Sequence, residues 1–146
     1  MAESYSKKWI WATYVSQILT GAIHSLSFFK NPEPANETEK QMYDLMMNYK
    51  RDLGAGFSPT TMDLFTALSA CMTMLCLLSG LSLWWLSRQN TGKKEMRGIM
   101  AINTVIFGVG FAIMLMLTFL PPIVCFGVIF FAAAGGYISL SARPDA

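Results

Sequence analysis

Charge is confined to a few short stretches of this chain. All 11 Lys and Arg and all 9 Asp and Glu of its 146 residues lie within residues 1–8, 30–63, 88–97 and 143–145. The long stretches between them carry none. Only 14% of the chain is charged, where a soluble domain usually has about a quarter. With 53% hydrophobic residues, this distribution excludes a soluble enzyme, a nucleic-acid binder and a disordered regulator. The length allows one domain. An apolar helix crosses a bilayer in about 20 residues. Four segments meet that requirement: 9–29, 64–86, 98–119 and 123–140. The expected fold is therefore all-α, a polytopic membrane protein with an antiparallel four-transmembrane-helix bundle in a single membrane domain, 1–146. Residues 30–63 form its outer loop.

Only Leu120, Pro121 and Pro122 separate the third and fourth segments. Proline lacks an N–H and pushes the preceding residue away from helix. One uninterrupted helix of roughly 40 residues would far exceed a bilayer. A tight hairpin at the prolines is expected instead. Short cytoplasmic loops carry excess Lys and Arg. With four spans, Lys7, Lys8, Arg88, Lys93, Lys94, Arg97 and Arg143 share one side, which places both termini in the cytoplasm and the 30–63 loop in the periplasm or outside the cell. Lys30, Lys40, Lys50 and Arg51 lie in the longer outer loop. Trp9, Trp11, Trp84 and Trp85 fall near the cytoplasmic ends of the first two segments, where tryptophan favours the headgroup level. The first apolar stretch exceeds a signal-peptide core, and Ser27-Phe28-Phe29 offers no small-residue cleavage pattern, so an uncleaved anchor is expected.

Within the outer loop, residues 36–51 read as a short helix. Asn36 or Thr38 caps it, and Thr38 with Gln41 has capping-box spacing. Met42, Leu45, Met46 and Tyr49 recur at i, i+3, i+4 and i+7, which makes one apolar face. Asn31-Pro32-Glu33-Pro34 is a turn-rich connector, Gly54-Ala55-Gly56 a flexible joint, and Ser58-Pro59 a helix start. Asn36-Glu37-Thr38 fits the glycosylation pattern, which arises often by chance.

Thr13, Gln17, Thr20, His24 and Ser27 recur at steps of four and three, so the first segment has one polar side. Such a side turns toward protein or a watery cavity, not lipid. Small residues on the other segments offer it close approach: Ser69, Thr73 and Gly80 in the second, Gly108 and Ala112 in the third, Ala132 and Gly136 in the fourth.

His24 is the chain's one histidine. A hydrogen bond to Gln17, Thr20 or Asn103 across the bundle is the first reading. A small ligand or lipid headgroup held by His24, Gln17, Thr20 and Asn103 is the second, and metal or haem ligation the third. By depth, Asn103 belongs in the cytoplasmic third, His24 in the outer third and Gln17 between them. The apolar segments hold no carboxylate or second histidine, Cys71 and Cys76 are five apart, and no phosphate loop, serine triad or zinc motif appears. No catalytic residue, metal site or cofactor is assigned, and no nucleic acid is expected as a partner. An active site shared between chains stays open as a third class.

Gly21-Ala22-Ile23-His24, the Tyr49 to Leu64 stretch with Gly54, Gly56, Phe57 and Ser58, and Pro121-Pro122 opening an alanine-rich segment together resemble a family of small bacterial four-helix inner-membrane proteins without assigned function. That resemblance implies fold and location and carries over no site residue. Membrane glutathione transferase-like proteins share the size, but their Arg/Asn/Glu signature in the second span is missing. Two functions follow as expectations. The first is a non-enzymatic protein acting by helix–helix contacts in the lipid bilayer, as a homo-oligomer or an accessory subunit of a larger membrane complex. The second is a binder or carrier of a lipid- or quinone-like apolar molecule in a pocket near His24.

Overall fold

The computed structural model describes residues 2–29 and 33–142, apart from the side chains of residues 2–5, 27 and 29. Ser27, Phe29, Lys30, Asn31, Pro32 and Arg143, which entered the stripe, connector and charge readings, lie outside the described residues in that sense. The described chain is all-helical: α1 (Ala2–Ser25) running into a 3-10 turn (Leu26–Phe29), α2 (Glu37–Asn48), α3 (Thr61–Arg88), α4 (Lys93–Leu117) and α5 (Leu120–Ser141).

Three helices, α3, α4 and α5, are long and apolar enough to cross a membrane. This differs from the four expected. With 24 residues α1 has the length, but Thr13, Gln17, Thr20 and His24 dilute its apolar character. The turn between α4 and α5 also differs. It is made by Thr118 and Phe119, both in extended conformation, and the prolines sit inside the first turn of α5. There the missing proline N–H is no loss, because first-turn donors have no intrahelical partner.

The described residues divide into two compact units, residues 2–20 with 76–142 and residues 21–75. In the first unit, four helices contribute to one core: Ile10 from α1, Leu83 from α3, Met96 and Met100 from α4, Ala133 and Leu140 from α5. A second cluster gathers Cys76, Phe107 and Ile129, flanked by Phe126 and Phe130. The hairpin of α4 and α5 is antiparallel, since Met100 meets Gly136, Gly108 meets Phe130 and Phe111 meets Gly127. Each aromatic ring lies where the opposite helix has no Cβ, which lets the two backbones approach closely.

Among the expected packing positions, Gly80, Thr73, Ala132 and Gly136 are buried and Ser69 and Gly108 are half-buried. Ala112 is exposed and does not take part in the packing of α4 on α5 within the chain. The contact register at that end of α4 is held by Gly110, against Phe126, and by Phe111, against Gly127. Trp9 also packs within this unit, its half-buried ring lying on Gly135 of α5. Trp11, Trp84 and Trp85 are exposed.

In the second unit, α2 ends at Asn48 rather than 51, with Tyr49 extended. Its capping box is Asn36 with Glu39, not Thr38 with Gln41. Asn36 Oδ1 accepts from the Glu39 N–H at 2.9 Å, and Glu39 Oε2 accepts from the Ala35 N–H at 2.7 Å. An acidic N3 residue also complements the positive helix start, which glutamine cannot do. Gly54-Ala55-Gly56 is a hydrogen-bonded turn, not a flexible joint. All three residues have positive φ, 81°, 53° and 83°. The Leu53 N–H donates to Phe57 O and the Arg51 N–H to Pro59 O, both at 3.0 Å, beside an antiparallel bridge from Lys50 to Thr60.

Pro59 is thereby tied into this hairpin, so α3 starts at Thr61 instead of Ser58-Pro59. The cap is reciprocal. Asp63 N–H donates to Thr60 Oγ1 at 3.1 Å, while Asp63 Oδ2 accepts from the Thr60 N–H at 2.9 Å and its hydroxyl at 2.8 Å. These two bonds, the backbone one first, hold the Asp63 carboxyl below its ordinary 3.8, with the Lys50 charge adding to them. A depressed folded-state value means that the cap's contribution is complete above the unfolded value and fades as pH falls through the folded one. Protection of the amides in residues 51–63 against hydrogen exchange, measured relative to the intrinsic rate at each pH, is therefore expected to hold from neutral pH down to about 4 and to fall below it, an acid acceleration over the intrinsic rate. In Asp63→Asn, which keeps an acceptor but cannot titrate, that acid acceleration should vanish. Acceleration that persists unchanged would place the pH sensitivity elsewhere.

Candidate functional site

The chemistry-bearing side chains of the first unit meet on α1. One turn apart, Thr13 and Gln17 point the same way, and both are fully buried. Thr13 satisfies its hydroxyl on its own helix by donating to Trp9 O at 2.8 Å. A glutamine side chain reaches too far for that, and Gln17 crosses to α4. Its Nε2 donates to Asn103 Oδ1 at 2.6 Å. Ser79 on α3 donates to the same oxygen at 3.2 Å, and Asn103 Nδ2 donates to Ile99 O at 2.9 Å. One carbonyl oxygen thus joins α1, α3 and α4.

Gly80, next to Ser79, makes the approach of α1 feasible. A Cβ at this position would stand 2.7 Å from Ile18 Cγ1 and 3.1 Å from both Gln17 Cβ and Tyr14 O. Ile18 thereby belongs to a helix contact rather than to the outward side of α1. The outward side is carried by Trp11 and Leu19, both exposed.

Gln17 and Asn103, expected at different depths, are in direct contact. Counting residues from the charged loops had separated them because it assumed helices entering the membrane at equal heights. Thr20 is buried in the same unit. His24 belongs to the second unit, where it is half-buried and meets Phe28 edge-on, ring centroids 6.1 Å apart at 75°. Ser79 was missed in the sequence, since it stands one position off the small stripe that ends at Gly80.

The cluster carries no charge, and its members can exchange only hydrogen bonds. Asn103 uses both ends of its amide. Gln17 uses its N–H, while its buried Oε1 has no hydrogen-bond partner among the described residues. That oxygen is an acceptor able to take a hydroxyl, an N–H or a water. No protein-family model, curated protein or solved structure matches the chain.

Proposed function

We propose that the chain is a non-enzymatic membrane protein that acts by helix–helix contacts, as a homo-oligomer or an accessory subunit of a larger membrane complex. In this reading α1 is a fourth span, completing an antiparallel four-helix bundle. Burial of Thr13, Gln17 and Thr20, with Trp11, Leu19, Ile23 and Leu26 exposed, supports it: the polar groups that lower the helix's apolar character are turned inward. The six described loop cations Lys7, Lys8, Arg88, Lys93, Lys94 and Arg97 support cytoplasmic termini. The resemblance to small bacterial inner-membrane proteins agrees with both.

One observation carries the contact reading. On α4, Gly98, Ile102, Val105, Val109 and Ala112 are all exposed and recur at steps of four, three, four and three. These side chains are small or β-branched, so they lose little rotamer freedom on packing and admit a close neighbour. The exposed face of α3 is different, with Phe65, Leu68, Met74, Leu75 and Leu78 forming a bulky surface suited to lipid.

The test is native mass spectrometry of chain extracted gently from its own membrane. The expected result is a defined complex with a second copy or with another protein, lost in Val109→Trp while far-UV circular dichroism stays unchanged. A lone chain in the wild type would overturn the proposal. The second reading, binding of a lipid- or quinone-like molecule, is favoured by Gln17 Oε1. A stoichiometric small-molecule mass that disappears in Gln17→Leu would support it.

A further inference from the structure

Within residues 21–75, an open cleft of about 590 Å³ lies along α2 and the start of α3. Met42, Leu45 and Met46 form its apolar wall, and Tyr49, Arg51 and Thr61 its polar edge. We propose that this cleft binds a phospholipid of the surrounding bilayer through an anionic headgroup on Arg51 and an acyl chain on the methionine–leucine wall. The proposal goes beyond the contact reading and shares with it only the membrane placement of α3.

Depth is the first argument. Thr61 precedes Leu64, the first residue of the apolar stretch, by three residues, about 4.5 Å of helix. The headgroup layer of one leaflet is about 5–7 Å thick. The cleft therefore opens at headgroup level. Exposure is the second. Leu45 is 65% and Tyr49 60% exposed, and Leu53 and Phe57 on the adjoining hairpin are exposed as well. An amphipathic helix with such a face lies in the interface with its apolar side among acyl chains.

Charge complementarity selects the headgroup. Most charged side chains near the cleft have local partners. Asp52 accepts from the Gly54 N–H, Glu39 caps α2 and Glu37 pairs with Lys40, while Lys50 is not among the residues that line the cleft. Asp44 stands on the opposite side of α2 from Met42, Leu45 and Met46, by its position in the helical repeat. Arg51 is held by its backbone bond to Pro59 O and is the one charged residue that lines the cleft. A guanidinium presents a planar fork that matches phosphate oxygens two at a time.

The test uses the full chain in detergent micelles supplied with equal amounts of phosphatidylglycerol and phosphatidylcholine of the same acyl length, and reads bound lipid by native mass spectrometry. The wild type is expected to retain phosphatidylglycerol about tenfold over phosphatidylcholine, the effect of one charge-assisted contact. Arg51→Gln should bring that ratio close to one, and Lys50→Gln should leave it in place. Leu45→Asn should lower retention of both lipids. Far-UV circular dichroism and the elution volume of each variant check that it is folded. No headgroup preference in the wild type, or equal losses in Lys50→Gln and Arg51→Gln, would overturn the proposal. Neither result touches the contact reading, which is read from protein stoichiometry.

Discussion

Gly80→Leu is expected to destabilise the folded chain by about 3 kcal/mol, the upper range for an overpacked helix contact. The reason is local. A Cβ alone would stand 2.7 Å from Ile18 Cγ1 and 3.1 Å from the backbone oxygen of Tyr14. Ile18 can shift its side chain, but Tyr14 O moves only with α1. Leucine adds three more carbons to the same space, so α1 must separate from α3. Gly80→Ala sets two opposing effects together: close contact with α1, and a helix-propensity gain of about 1 kcal/mol. Its net change should stay within about 1 kcal/mol of zero. Equilibrium unfolding in detergent micelles, followed by circular dichroism, measures both variants. A leucine variant as stable as the wild type would mean that α1 does not pack closely on Gly80.

Asn103→Leu should cost about 2 kcal/mol, because it removes the acceptor of a buried donor, Gln17 Nε2, and of a half-buried one, Ser79 Oγ. Gln17→Leu is expected to cost less, under about 1 kcal/mol, since it also removes Oε1, a buried acceptor already without a bond. The double variant should fall short of the sum by about 1 kcal/mol, within the range of interhelical hydrogen bonds in membranes. The same unfolding measurement supplies the cycle. Strict additivity would show that the two amides do not depend on each other. A Gln17→Leu variant more damaging than Asn103→Leu would show that Oε1 has a partner in the folded chain, a bound water or ligand among the candidates.

Much of the outer segment was legible because its signals are local. Asn36 preceding an acidic turn starts α2, and the spacing of Met42, Leu45, Met46 and Tyr49 marks its apolar face. The exact cap was not. Both Asn36 to Glu39 and Thr38 to Gln41 fit the pattern, and only the backbone path decides which side chain meets which N–H. Ser58-Pro59 misled for a related reason. The Lys50 to Thr60 bridge pulls that dipeptide into a hairpin, a pairing between residues ten apart that no single short motif announces.

The inward turn of α1 was legible from the spacing of Thr13, Gln17 and Thr20. What they would meet was not. Helical periodicity gives the angle of a side chain about its own axis but not the relative height of two helices. The Gln17–Asn103 bond and the exposure of Ala112 both depend on that height. Ala112 was expected at a contact because it stands four residues after Gly108, yet the offset of α5 along α4 brings Phe126 and Gly127 to Gly110 and Phe111 instead.

That the chain is helical, where its apolar stretches begin and end, and which side of α1 is turned into the protein could all be read from the residues alone. These follow from hydrogen-bond satisfaction and side-chain transfer energies, which act residue by residue. Packing between elements settled the rest: that Asn103 Oδ1 joins three helices, that Trp9 lies on Gly135, and that Arg51 borders an apolar cleft. Those outcomes depend on which of several acceptable helix offsets packs without gaps, a property of whole surfaces that no one segment contains.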